Sequence, residues 1–175
     1  QASREKLREL LERPLDQLEL CAILIDGTPM KGRQMIAVIG LDREGKKHAL
    51  GLREGATENA TVLSELLNDL AGRGLDFRVP RLYVLDGGKA LAAAVRRHAG
   101  EAAFIQRCQV HKRRNVIDHL PEEHRQAVKR KLQNAYAMAE YADAKRALEK
   151  LHRELMDLNP SAARSLEEGI EETLT

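Results

Sequence analysis

Between residues 20 and 108 the hydrophobic period switches in an order that leaves few sheet topologies open. Residues 21–27, 33–42 and 46–55 are short runs rich in Ile, Val and Leu, separated by turn-forming residues 27–32 and 43–45. They predict three consecutive antiparallel strands, a meander. Residues 59–74 then place Val62, Leu63, Leu66, Leu67 and Leu70 on one helical stripe, with Thr57 or Asn59 as the N-cap. Residues 80–86 form a nearly continuous apolar run, which reads as a strand buried on both faces. Because it follows a helix, parallel pairing is expected. A second helix over 90–98 and a fifth strand over 102–108 complete the series.

The flanks are helical. Residues 3–13 carry Leu7, Leu10 and Leu11 at helical spacing before Pro14 ends the pattern. Beyond Cys108 no strand signal recurs. Residues 110–120, 122–140 and 143–158 are helical in pattern, the last with Ala144, Leu148, Leu151, Leu155 and Leu158 on one stripe, and 161–175 reads as a helix begun and not finished. The expectation is an α/β chain with a ribonuclease H-like mixed sheet of five strands, three antiparallel and then β-α-β units, followed by an all-helical segment. Residues 1–18 form an N-terminal helix and linker, 19–120 the sheet core and 121–175 the helical region. With Gln1 in place of Met and that unfinished last segment, the sequence reads as a piece of a longer protein.

Composition narrows the function classes. Apolar residues at 43% and charged residues at 32% are a globular balance, which excludes wholesale disorder. No run approaches about 18 apolar residues, so no membrane partner is expected, and with no secretory leader a cytoplasmic location is. The two cysteines, Cys21 and Cys108, cannot make a disulfide framework. A net charge of +2 does not by itself mark a nucleic-acid partner.

Two segments end alike: Ile23-Leu24-Ile25-Asp26-Gly27 and Tyr83-Val84-Leu85-Asp86-Gly87. If their strands are neighbours, Asp26 and Asp86 converge. Two carboxylates between apolar walls repel unless a cation lies between them, and hard oxygen donors suit Mg²⁺ or Mn²⁺. A two-metal phosphoryl-transfer site is the natural use. The plain alternative is that Asp-Gly is turn chemistry at strand ends.

Cys108, His111 and Asn115 share a helix face, yet Cys-x2-His is half a zinc site, and His119 and His124 bring no cysteine partners. A thiol nucleophile with a histidine base, or a buried cysteine beside a capping histidine, are the other readings. Between residues 107 and 131 stand eight Lys or Arg, among them Arg107, Lys112, Arg113, Arg114, Lys129, Arg130 and Lys131, against three acids. Solvated faces normally mix signs, so this imbalance favours a polyanion track. With no Trp, two Phe and three Tyr, base stacking is not the main mode, and phosphate contacts to double-stranded DNA fit better.

Residues 24–28 with 39–47, 50–59, 84–91, 107–115 and 159–168, taken in order, resemble the Mutator-type transposases of bacterial insertion sequences. The resemblance runs from about residue 15 to the end. It implies a ribonuclease H-like catalytic domain with a DDE triad, in which Asp26 and Asp86 match the two aspartates, and Cys108 and His111 match the C-x2-H signature. It implies Mg²⁺ or Mn²⁺ in a two-metal site whose third ligand is a glutamate expected beyond Thr175. Glu167, Glu168, Glu171 and Glu172 fall in the family's helical insertion and read as solvated surface. The implied reaction is strand cleavage by metal-activated water and attack of the freed 3′-hydroxyl on target DNA. The implied partners are transposon-end and target DNA, with a homo-oligomer on paired ends, in the bacterial cytoplasm. Without the third acid the chain alone is expected to be inactive. The alternative is a truncated fragment that binds DNA or multimerises without cutting. A haloacid-dehalogenase-type phosphatase fails because Leu24 stands where its nucleophilic aspartate is required. A P-loop at Gly88-Lys89 fails because Tyr83 and Ala90 replace the required Gly and Ser or Thr.

Overall fold

A computed structural model describes residues 2–175, so Gln1, the first residue of the expected N-terminal segment, lies outside the described residues. The meander is present as β1 (Leu20–Met30), β2 (Arg33–Asp42) and β3 (Lys47–Glu54), each pair antiparallel. One boundary differs from expectation. The Asp26-Gly27 step does not turn; β1 continues to Met30, paired with Arg33, and the reversal falls on Lys31 (φ 50°) and Gly32 (φ 78°). A two-residue hairpin loop with positive φ at both positions matches the twist of its strands, and Gly-Thr-Pro cannot supply that pair. Pro29 is tolerated because it lies past the last β1–β4 pair, where one edge of β1 lacks a parallel partner.

After α2 (Ala60–Gly72), β4 (Arg81–Leu85) joins β1 in parallel, with Ala22 opposite Leu82 and Ile25 opposite Leu85. Helix α3 (Lys89–Ala99) and β5 (Ala103–Arg107) follow, giving the strand order β3-β2-β1-β4-β5. Arg81, Tyr83 and Leu85 are buried, whereas Leu82 and Val84 are half-buried, so β4 alternates and is not covered alike on both faces. Leu63, Leu66, Leu67 and Leu70 of α2, with Leu91 and Val95 of α3, share a core with Ile23, Ile25, Ile36, Val38 and Leu50. Each such side chain contributes roughly 1.5–3 kcal/mol by leaving water. Asn59 caps α2, its side chain accepting from the N–H groups of Thr61 and Val62. Helix α1 (Ala2–Glu12) packs on β3 and belongs to this sheet unit.

The second compact unit begins at Gln106. It holds α4 (Gln109–Asp118), α5 (Glu122–Tyr136), α6 (Tyr141–Leu158) and α7 (Pro160–Glu167). The division lies earlier than the expected step at residue 120, because Val116 and Leu120 are buried with Leu132, Leu148, Leu155 and Leu166 in a separate core. The last segment is not an unfinished helix. Asn159 caps α7, Pro160 occupies its first turn, and a single 3₁₀ turn over Glu171–Thr173 follows. Thr173 is buried and donates its hydroxyl to Gly169. Among the described residues no helix is long and apolar enough to cross a membrane.

Candidate functional site

The parallel register between β1 and β4 runs from Ala22↔Leu82 to Ile25↔Leu85, and the next residues along the two strands are Asp26 and Asp86. Both are half-buried, and Oδ1 of Asp26 is shielded from solvent. Asp86 is held at both oxygens. Its Oδ2 accepts from the Thr57 hydroxyl at 2.8 Å, and its Oδ1 accepts from the Gly88 N–H at 2.9 Å. The same carboxylate lies against Gly27, where a Cβ would stand 3.7 Å from Oδ2 and 3.1 Å from the Thr57 methyl. A side chain at residue 27 would therefore crowd Asp86 Oδ2 and the Thr57 methyl; glycine leaves that space open.

The donor set of this pair is two carboxylates, hard oxygens of the kind that suit Mg²⁺ or Mn²⁺. With Asp86 cradled by Gly27 and Gly88, the pair fits part of such a site. Among the described residues no group of three His, Cys, Asp or Glu side chains could hold a metal ion.

In the second unit Cys108 precedes α4 at its N-cap position, without a side-chain capping bond, and Cys108 and His111 are both half-buried. Cys21 and Cys108 are free thiols. The basic residues divide sharply. Arg107 and Lys112, expected on the phosphate track, are 8% and 1% exposed. Lys112 Nζ donates to the Ser165 carbonyl and lies 3.6 Å from Glu168, and Arg107 pairs with Glu168 at 3.7 Å and Glu172 at 3.6 Å. Burial, reinforced by neighbouring Arg107, pushes the Lys112 amine below the ordinary lysine range, while Glu168 and Glu172 oppose that shift. These two cations therefore face the C-terminal segment of their own unit. Arg113 is half-buried; Arg114, Lys129, Arg130 and Lys131 are exposed, with Lys131 bonded to Glu154.

The acids of the last segment are exposed, as expected, and also carry ion pairs. Glu168 and Glu172 serve Arg107 and Lys112, Glu171 bonds Lys145 and Tyr141, and Glu167 lies 3.7 Å from His152. Thr57 is the site residue that sequence reading assigned otherwise, as a possible helix cap. Its position two residues before the Asn59 cap was the available signal, since one helix start needs only one such cap.

The class defined by these features is an α/β protein with a mixed five-stranded sheet, in which two parallel strands bring aspartates to one end, joined to a helical unit rich in cations. Residues 1–175 match the family described as Transposase, Mutator family. The chain belongs to the Mutator family of transposases. It is 32% identical over 140 residues to the transposase for insertion sequence element IST2 of Acidithiobacillus ferrooxidans, an alignment covering 80% of this chain and 47% of the relative. The transposase for insertion sequence element ISRM5 of Rhizobium meliloti is 30% identical over 179 residues, 98% of this chain and 44% of the relative. The transposase for insertion sequence element IS256 in transposon Tn4001 of Staphylococcus aureus is 24% identical over 136 residues, 77% of this chain and 34% of the relative. The chain thus spans less than half the length of these relatives.

Proposed function

We propose that this chain carries part of the DNA-cutting and DNA-joining centre of an insertion-sequence transposase, of DDE type and on a ribonuclease H-like sheet. The observation that supports it most is the parallel register of β1 and β4, in which Asp26 follows Ile25 and Asp86 follows Leu85, just past the end of β4. Asp26 and Asp86 would hold Mg²⁺ or Mn²⁺, with a third carboxylate from outside these 175 residues. When bound, such ions stabilise charge on the attacking and leaving oxygens of a phosphoryl transfer and raise the acidity of water. Around them the chain's own groups orient and screen. Gly88 and Thr57 fix the Asp86 carboxylate, and Gly27 leaves it room.

Arg113, Arg114, Lys129, Arg130 and Lys131 would hold the backbone of double-stranded DNA, both transposon ends and target, without reading bases. Cys108 and His111 are proposed as structural elements at the start of α4. The protein would work as a homo-oligomer on paired ends, in the bacterial cytoplasm. A second reading for these 175 residues, DNA binding and multimerisation without cutting, is favoured by the exposed cations Arg114, Lys129 and Arg130 of the helical unit.

The test incubates the 175-residue chain with labelled transposon-end duplex and Mn²⁺, measuring ion binding, DNA binding and release of a 3′-hydroxyl end. The expected result is binding of both without cleavage, with the ion lost in Asp26→Ala and Asp86→Ala. Cleavage by the short chain would mean that its own acids complete the site. Ion binding indifferent to both substitutions would refute the assignment of Asp26 and Asp86.

A further inference from the structure

Thr57 lies in the short connection between β3 and α2 and is 5% exposed. A buried hydroxyl just before a helix ordinarily caps it, but here Asn59 accepts from the first free N–H groups of α2. The Thr57 hydroxyl is therefore available, and it donates to Asp86 at 2.8 Å. Its Cγ2 approaches to 3.1 Å the position a Gly27 Cβ would take, and its carbonyl oxygen lies 3.6 Å from the corresponding position at Gly88. One residue thus meets β1, the turn after β4 and the carboxylate between them.

We infer that Thr57 is the positioning residue of Asp86, fixing the plane of its carboxylate before any ion arrives. The inference rests on the reading of Asp86 as a metal ligand. The physical ground is that a carboxylate with one oxygen on a backbone N–H and the other on a buried hydroxyl has no freedom left about χ1 and χ2. Ligand carboxylates held this way lose no rotamer entropy on binding a cation, and removal of such an outer partner costs roughly 10–100-fold in metal affinity. Oδ2 keeps a second lone pair for the ion while accepting from Thr57.

Two substitutions separate the hydroxyl from the methyl. Thr57→Val retains the methyl against Gly27 and removes the donor; Thr57→Ser retains the donor and removes the methyl. In the 175-residue chain, three-bond couplings across Asp86 χ1 and the Gly88 amide proton shift report the carboxylate without metal. Water-proton relaxation gives the Mn²⁺ dissociation constant. Thr57→Val should average the Asp86 couplings, move the Gly88 proton upfield and weaken Mn²⁺ about tenfold or more, while Thr57→Ser stays within about twofold of wild type. Unchanged couplings and affinity in Thr57→Val would overturn the proposal. So would a loss in Thr57→Ser equal to that in Thr57→Val, which would make Thr57 a packing residue. Mn²⁺ affinity indifferent to Asp86→Ala would sink the metal reading by itself, and the couplings would still decide whether Thr57 holds Asp86.

Discussion

Lys112, on α4, donates its ammonium to the backbone carbonyl of Ser165, on α7, inside the helical unit. Two helices far apart in sequence are thereby joined by a buried cation. Such a group is costly to desolvate and contributes only if its donors are used. Glu168 supplies the counter-charge from the surface side.

The depressed Lys112 amine predicts a pH dependence whose sign follows from proton binding. Below its folded value both states are protonated, and the full cost of the buried charge is present. Between that value and the ordinary lysine value of the unfolded chain, the unfolded state binds more protons, so stability rises with pH. Urea melts of wild type and Lys112→Met at neutral and alkaline pH should show wild type gaining on the variant as pH rises. A constant difference across that window would show that the Lys112 proton is not linked to folding. At neutral pH Lys112→Met should cost about 1–3 kcal/mol through the abandoned carbonyl.

Gly169 is tied to the same pair. A Cβ there would stand 2.6 Å from Lys112 Cε, 3.2 Å from its Nζ and 3.1 Å from an Arg107 nitrogen. Lysine ends normally move aside, but this one is buried and anchored on Ser165. Gly169→Ala should therefore destabilise the chain by about 1–3 kcal/mol. In a double-mutant cycle the cost should shrink by at least half in a Lys112→Ala background. Additive costs would mean that the added methyl strains the chain elsewhere.

The fold was largely legible because its signals are local. Runs rich in Ile, Val and Leu indicated the meander, leucine stripes indicated α2 and α6, and the nearly continuous apolar run at residues 80–86 indicated a parallel strand. What escaped depended on which partner each residue takes. The place of the first hairpin turn was set by pairing of Met30 with Arg33, which Asp-Gly turn chemistry at residue 27 obscured. The charge run from Arg107 to Lys131 was legible as charge but not as direction. Nothing in the spacing of Arg107 and Lys112 shows that they turn inward to Ser165, Glu168 and Glu172. At the candidate site Asp26 and Asp86 stood out by their twin contexts, whereas the Thr57–Asp86 bond did not, because it joins two loop residues 29 apart in the chain.

Both asparagine caps predict a measurable loss. Asn59 accepts from two N–H groups of α2, and Asn159 accepts from Ser161 and Ala162 while donating to the His119 carbonyl. Each Asn→Ala should cost about 1 kcal/mol at the cap. Asn159→Ala should cost more, because the bond to His119 is lost as well. Thermal unfolding of the two variants gives the comparison; equal losses would show that the His119 bond adds nothing to stability.

The division of cations predicts which of them govern salt dependence. Each Lys or Arg that neutralises a phosphate adds about 0.9 to the slope of log affinity against log salt on duplex DNA. Arg114, Lys129 and Arg130 are exposed, and none is among the ion-paired cations named above, so Arg114→Ala, Lys129→Ala and Arg130→Ala together should flatten the slope by about 2–3. They should weaken all duplex sequences alike, since phosphate contacts carry no base information. Lys131 is already bonded to Glu154, so Lys131→Ala should change the slope by less than a full contact. Lys112→Met, compared at a temperature where both proteins are folded, should leave the slope unaltered, because its charge is spent on Ser165 and Glu168. A slope that falls by about 0.9 in Lys112→Met would mean that the ammonium leaves Ser165 for a phosphate when DNA binds, and that the buried arrangement belongs to the unbound state alone.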